Sequence, residues 1–155
     1  MTRDEVLAAL EETRIEIDAR LRPESAERFG TWSAKDLLFH IAAWEHFYGA
    51  TLRTRRESGR EATAAELLGR PLEAAEADRL MALDTDETNA YLEELFQGED
   101  WPTATKFWRE AHASLVDEVG KLTDEQLAAG EKEPLWRRIG LESFSHAAGH
   151  LSGPE

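Results

Sequence analysis

The chain has no cysteine among its 155 residues. It therefore forms no disulfides and no thiolate metal sites, and it has no sulfur nucleophile of its own. Any thiol that takes part in its chemistry must be supplied from outside.

Long apolar runs and basic residues are also scarce. No stretch approaches the roughly 20 consecutive apolar residues of a membrane span, and the start of the chain, Met1 to Glu5, lacks the basic and apolar segments of a secretion signal. We therefore expect a cytoplasmic protein. Eighteen Lys and Arg against 32 Asp and Glu give a net charge of -14, which repels phosphate backbones and anionic lipid surfaces. We expect neither nucleic acid nor membranes among its partners.

Apolar residues recur at steps of three and four along most of the chain, which predicts helices, and no segment alternates with period two for long enough to predict a strand. Capping boxes at Thr2, Ser33 and Thr123 mark helix starts. The first main predicted helix ends near Leu21. The second runs from about Ala34 to Glu57, and a third from Asp86 to Gln97. A long helix follows Pro102, and the last one begins at Pro134.

The stretch from Gly59 to Asp84 is rich in alanine and glutamate and has Pro71 in its middle, which predicts one or two short helices. The length of 155 residues suits one domain, residues 1–155, with a continuous core. We expect an all-α protein, an antiparallel four-helix bundle with short extra helices between its second and third main helices.

Histidines are the candidate functional residues. At about 100° per residue, His40 lies roughly 60° from the centre of the apolar stripe of the second helix, so it borders the interior. His46 falls on the opposite face, and we expect it to be exposed and without a role. His146 and His150 are four residues apart, which places them one turn apart on one face of the last helix.

Two histidines so placed can share a metal ion with a third, and three imidazoles with a fourth position left open are typical of catalytic zinc. Spacing alone leaves an alternative, because such pairs occur by chance and buried histidines usually satisfy a hydrogen bond. His40 is the preferred third ligand, and His112, about 60° from the apolar stripe of its own helix, is the rival.

Two motifs resemble a known family. The run GTWSAKDLLFHIAAWE, from Gly30 to Glu45, resembles the second-helix signature of the DinB/YfiT-like superfamily, closest to its ClbS/DfsB branch. The segments LWRRI, residues 135–139, and ESFSHAAGH, residues 142–150, are similar to the last helix of that superfamily. One departure is Ala147, at a place where the ClbS-like branch often has an aromatic residue.

The resemblance implies a four-helix bundle with a divalent metal ion, zinc or nickel, bound by His40, His146 and His150. Members of the superfamily include transferases and isomerases that use low-molecular-weight thiols, and a branch that detoxifies a reactive electrophile. We therefore expect a metal-dependent enzyme acting on small molecules, of the thiol transferase or detoxifying hydrolase type. The ion would lower the pKa of an external thiol or of water.

Two carboxylates, Glu142 and Glu45, are candidate proton acceptors for that reaction, although either residue type is more often solvated or orients a ligand. A second hypothesis is a non-catalytic stress or resistance protein that sequesters a small molecule. Its pocket would be lined by the tryptophans Trp32, Trp44, Trp101, Trp108 and Trp136. Packing in the core would also explain the presence of five tryptophans. A third is a structural dimer, and a helical bundle with a broad apolar surface permits a homodimer in any of these cases.

Overall fold

A computed structural model describes residues 1–130 and 147–152 of the chain. In these ranges helices are connected by turns and loops, with no β-strand and one isolated β-bridge between Phe29 and Trp32. The helices are α1 (Arg3–Arg20), α2 (Ala34–Ser58), α3 (Ala64–Leu68), α4 (Ala74–Ala82), α5 (Thr85–Phe96), α6 (Trp101–Gly120) and α7 (Asp124–Gly130). A further helical segment occupies residues 147–151. The predicted all-α class is confirmed.

The helix starts follow the capping chemistry predicted from the sequence. At α1 the Thr2 hydroxyl accepts a hydrogen bond from the backbone N–H of Glu5, and the Glu5 carboxylate accepts one from the N–H of Thr2. Ser33 and Asp36 form the same reciprocal pair at α2. Each box satisfies two of the backbone donors that a helix start leaves unpaired, so the starts of α1 and α2 are set by local sequence.

Helix α2 is the centre of the core, in contact with α3, α5 and α6, while α1 packs on α6. Nearly every position from Leu37 to Leu52 is buried, so α2 is covered on all sides rather than on one stripe. One apolar cluster surrounds its first half and a second surrounds its last turns, where Leu10 and Leu115 meet Leu52. None of the described helices combines the length and apolar character that crossing a membrane requires.

The stretch between α2 and α5 contains two short helices, as predicted. Helix α3 has its own capping box, in which Thr63 pairs with Glu66, and ends at Gly69 in the left-handed conformation with φ of 70°. It packs against α2 and is also in contact with α4. The predicted start of the last helix at Pro134 lies outside the described residues.

Candidate functional site

Two of the three predicted metal ligands meet near the start of α2. The Nε2 atoms of His40 and His150 lie 3.2 Å apart, although 110 positions separate the two residues. His40 is 6% exposed, so the period of α2 placed it correctly at the interior. His146 and Glu142 lie outside the described residues, and their predicted roles stay predictions.

The distance between the two rings fits a shared ion. Nitrogen ligands about 2.0–2.1 Å from a tetrahedral zinc are about 3.3 Å from each other. A direct N–H···N hydrogen bond has a similar length, so the pair alone fits either arrangement. Among the described residues no group of three or more His, Asp or Glu side chains surrounds one point. The described part of the chain thus supplies two members of a ligand set.

Trp32 covers both imidazoles. Its ring centroid lies 4.4 Å from that of His40 and 5.5 Å from that of His150. The Trp44 and His40 rings meet edge to face with their centroids 6.5 Å apart. Burial lowers the pKa of His150, which favours the neutral imidazole that a metal requires. The pair is thus partly covered by aromatic rings, with His40 buried and His150 half-buried.

Arg20, the last residue of α1, contacts the turn that follows His150. Its guanidinium donates a hydrogen bond to the carbonyl of Leu151, the residue after His150. The same group forms ion pairs with Glu16, at 2.8 Å, and with Glu27, at 2.6 Å. These carboxylates orient the guanidinium, so α1 positions the turn that carries His150.

A small cleft opens beside His40. Its walls come from the Trp32 loop, the first turns of α2, and α5: Trp32, Asp36, Phe39, His40, Asn89, Leu92, Glu93 and Phe96. The amide oxygen of Asn89 accepts a hydrogen bond from Trp44 Nε1 at 2.8 Å, which leaves the amide nitrogen of Asn89 as a donor. The cleft thus offers an apolar wall, one amide and two carboxylates to a small molecule.

The predicted proton acceptor Glu45 lies elsewhere. It is 1% exposed and does not line the His40 cleft. Its carboxylate contacts His112 Nδ1 at 3.0 and 3.2 Å, and burial raises the pKa of Glu45 above its ordinary value. Glu45 thus engages Nδ1 of His112, whereas Nε2 of His112 is buried and has no hydrogen-bond partner among the described residues. A carboxylate on the other ring nitrogen is compatible with metal ligation, so the rival hypothesis that His112 is the third ligand stays a prediction. A role for Glu45 as proton acceptor stays a prediction.

The prediction that His46 is exposed is wrong. This residue is half-buried, and its Nδ1 donates a hydrogen bond to the carbonyl of Leu67 in α3. Helical periodicity identified the face of α2 on which His46 lies, but it did not indicate that α3 covers that face.

The tryptophans do not share one pocket. Trp32 lines the His40 cleft, Trp44 and Trp108 line two other clefts, and Trp101 is half-buried at the start of α6. Trp136 lies outside the described residues. The contact of Trp32 with His40 was not predicted, although Trp32 directly precedes the cap of α2, where a side chain can fold back over the first turns.

The chain matches no protein-family model, no curated protein and no solved structure. The likeness to the DinB/YfiT-like superfamily therefore stays a prediction from the two motifs.

Proposed function

We propose that this protein is a cytoplasmic, DinB-like four-helix-bundle enzyme that acts on small electrophilic molecules with a divalent metal ion, zinc or nickel, on His40, His146 and His150. The observation that supports the proposal is the 3.2 Å approach of His40 Nε2 to His150 Nε2. When bound, the ion supplies Lewis-acid chemistry that makes an external thiol or water nucleophilic at neutral pH.

The residues of the chain have separate tasks in this proposal. His40 and His150 present ring nitrogens to one point, Trp32 packs over both imidazoles, and Arg20 holds the turn after His150. The apolar wall at Leu92 receives the hydrocarbon part of a substrate.

In this proposal the polar groups of the His40 cleft orient the reacting end of the substrate. Asn89 donates a hydrogen bond from its amide nitrogen. Glu93 lines the same cleft, so it joins Glu142 and Glu45 as a candidate proton acceptor. Replacing Glu93 or Glu142 by Gln therefore tests the two carboxylates separately once turnover is found.

Metal content is the direct test. Protein purified without an affinity tag and loaded with zinc is expected to hold about one ion per chain, and His40→Ala or His150→Ala to lose at least nine-tenths of it, because each removes one of about three ligands. His46→Asn is the matched control and keeps the ion. Elemental analysis after gel filtration reads the result. Stoichiometric metal in both ligand variants contradicts the proposed site.

Turnover is the second test. The zinc- or nickel-loaded protein is offered low-molecular-weight thiols together with a small epoxide, and product is followed by mass spectrometry. We expect a rate that falls about 100-fold or more in His40→Ala, a loss typical of removing an electrostatic contribution to catalysis. A rate equal to that of the thiol and epoxide alone contradicts an enzymatic role for this pair.

Sequestration is the second candidate function, and the aromatic wall of the His40 cleft favours it. Trp32 and Phe39 there can bind an apolar compound without any metal. Quenching of tryptophan fluorescence by a compound that is recovered unchanged supports sequestration. Conversion of that compound supports the enzyme.

A further inference from the structure

A second cleft shares the Phe39 and Phe96 rings with the His40 cleft. It is bounded by α2, the end of α3, the end of α5 and the first half of α6, and its cavity volume is about 330 Å³. That size is at the lower end of the range for small-molecule sites. We call it the His46 cleft, and nothing in the proposed metal chemistry uses it.

Aromatic rings form one continuous wall of the His46 cleft. Phe39 and Phe96 stack with centroids 4.8 Å apart, Phe96 meets Phe107 at 5.3 Å, and Phe107 meets the His46 ring at 5.9 Å. Aromatic surfaces of this kind favour a planar aromatic guest, which can stack or pack edge to face at similar distances.

The His46 ring contributes one directional group to this wall. Because the carbonyl of Leu67 can only accept a hydrogen bond, Nδ1 of His46 carries the proton. Burial lowers the pKa of His46, which favours the neutral ring, and in the neutral ring Nε2 is an acceptor. Among the described residues, no donor is hydrogen-bonded to Nε2.

Gly69 leaves room for that edge of the ring. A Cβ atom at this position would lie 2.7 Å from His46 Nε2 and 2.8 Å from Cε1, closer than carbon atoms approach. Any other residue at position 69 would therefore push the imidazole out of its place in the cleft.

Charges at the rim are balanced. Lys106 pairs with Glu110 at 3.2 Å, and the Arg70 guanidinium lies over the Phe96 ring at 5.7 Å. Glu99 also lines the rim, so two cations and two carboxylates face the cleft. This balance favours a neutral ligand over an anion or a cation.

We infer that the His46 cleft binds a small neutral aromatic molecule that carries one hydroxyl or ring N–H group. The ring of the ligand packs against Phe107 and the Phe39–Phe96 pair, and its polar hydrogen is donated to His46 Nε2.

Indole and 1-methylindole are the probes that test this inference, because methylation at the ring nitrogen removes the N–H donor and leaves the ring system unchanged. By calorimetry we expect indole to bind about two- to twelvefold more tightly, the range for one hydrogen bond between neutral groups. Titration with indole should also shift the ¹⁵N resonance of His46 Nε2 in the wild-type protein, a measurement that needs no variant. Equal affinities, an unmoved resonance, or no binding at millimolar concentrations overturns the inference.

His46→Asn is the matched variant, since the amide nitrogen of asparagine can replace Nδ1 as donor to Leu67 while the Nε2 acceptor is lost. It is expected to bind the two probes equally. Retained discrimination overturns the inference. His40→Ala, which disrupts the proposed metal site, is expected to bind indole normally. Loss of indole binding in His40→Ala would place the ligand in the other cleft and overturn the assignment, whatever the outcome of the metal test.

Discussion

At the scale of single residues, Glu45 is the most unusual group in α2. Its carboxyl is 1% exposed and meets only one polar side chain among the hydrogen bonds described, that of His112. Burial penalises the charged form and raises the pKa of Glu45 above 4.5. The folded protein therefore binds this proton more tightly than the unfolded chain does.

Glu45→Gln tests the cost of that buried charge. Because the folded-state pKa is raised, the contribution of Glu45 to stability is present below pH 4.5 and is lost as pH rises through the folded-state pKa. Gln cannot ionise and still accepts a hydrogen bond from His112. The stability of Glu45→Gln relative to wild type is expected to increase with pH above 4.5, as measured by urea unfolding at pH 5 and pH 8. A difference that stays constant or decreases contradicts this assignment.

Gly69 and Gly59 form a matched pair of residues for a second prediction. Both have positive φ, 70° and 65°, but a Cβ would meet His46 at the first and nothing within 4 Å at the second. Gly59→Ala is expected to lower the free energy of unfolding by about 1 kcal/mol, because only the strain of a positive φ at a residue with a Cβ is added. Gly69→Ala is expected to cost about 2–3 kcal/mol, since steric displacement of His46 is added. Equal losses in chemical denaturation would show that the ring adjusts freely.

The burial of a residue could be predicted from the sequence where the periodicity of a single helix determines it. His40 was placed at the interior because helical period and apolar pattern agree in α2. His46 was misplaced because its cover comes from α3, a five-residue helix whose docking depends on contacts across the fold. The contact of Trp32 with His40 was not predicted either, because Trp32 lies in a loop, and loop residues have no periodicity from which the direction of a side chain can be predicted.

At the scale of elements, the link between α1 and the helical segment at 147–151 determines where His150 sits. Arg20 donates to the Leu151 carbonyl from the last turn of α1. Arg20→Met keeps the aliphatic stem and removes that bond together with both ion pairs. We expect amide exchange in residues 147–152 to accelerate about tenfold, equivalent to about 1.4 kcal/mol, which is reasonable for a charge-assisted hydrogen bond.

Arg14→Met is the control for that variant. Arg14 also lies on α1 and pairs with Glu11 and Asp18, but all its described bonds stay within the helix. Exchange in residues 147–152 is expected to remain unchanged in Arg14→Met. Equal exchange in the two variants would show that Arg20 does not hold the end of the chain.

The extents of the elements could be predicted closely from local chemistry. Capping boxes and glycine stops are interactions within about four residues. The bounds of α1, α2 and α5 therefore lie within about two positions of the prediction, and α6 begins one residue before Pro102. The arrangement of α3 and α4 could not be predicted, because short helices gain their stability from docking rather than from their own propensity.

At the scale of the whole molecule, a metal held jointly by α2 and the end of the chain would cross-link the fold. Zinc at about 100 times its dissociation constant is expected to add about 2.7 kcal/mol to unfolding free energy. The melting temperature of wild type should rise accordingly, while that of His150→Ala should not. His46→Asn, which keeps the proposed ligands, is expected to show the wild-type increase.

An equal increase in His150→Ala would point instead to ions on the acidic surface of a chain with net charge -14. Magnesium at the same concentration separates the two explanations. It is attracted by diffuse negative charge but binds imidazole poorly. Stabilisation by magnesium equal to that by zinc contradicts a histidine site.

The stacked rings of Phe39 and Phe96 line both clefts. A guest that tilts these rings to enlarge one cleft therefore alters the shape of the other. Truncation of Phe96 to alanine would remove one of the two shared rings and widen both clefts, with Phe39 as the shared ring that remains.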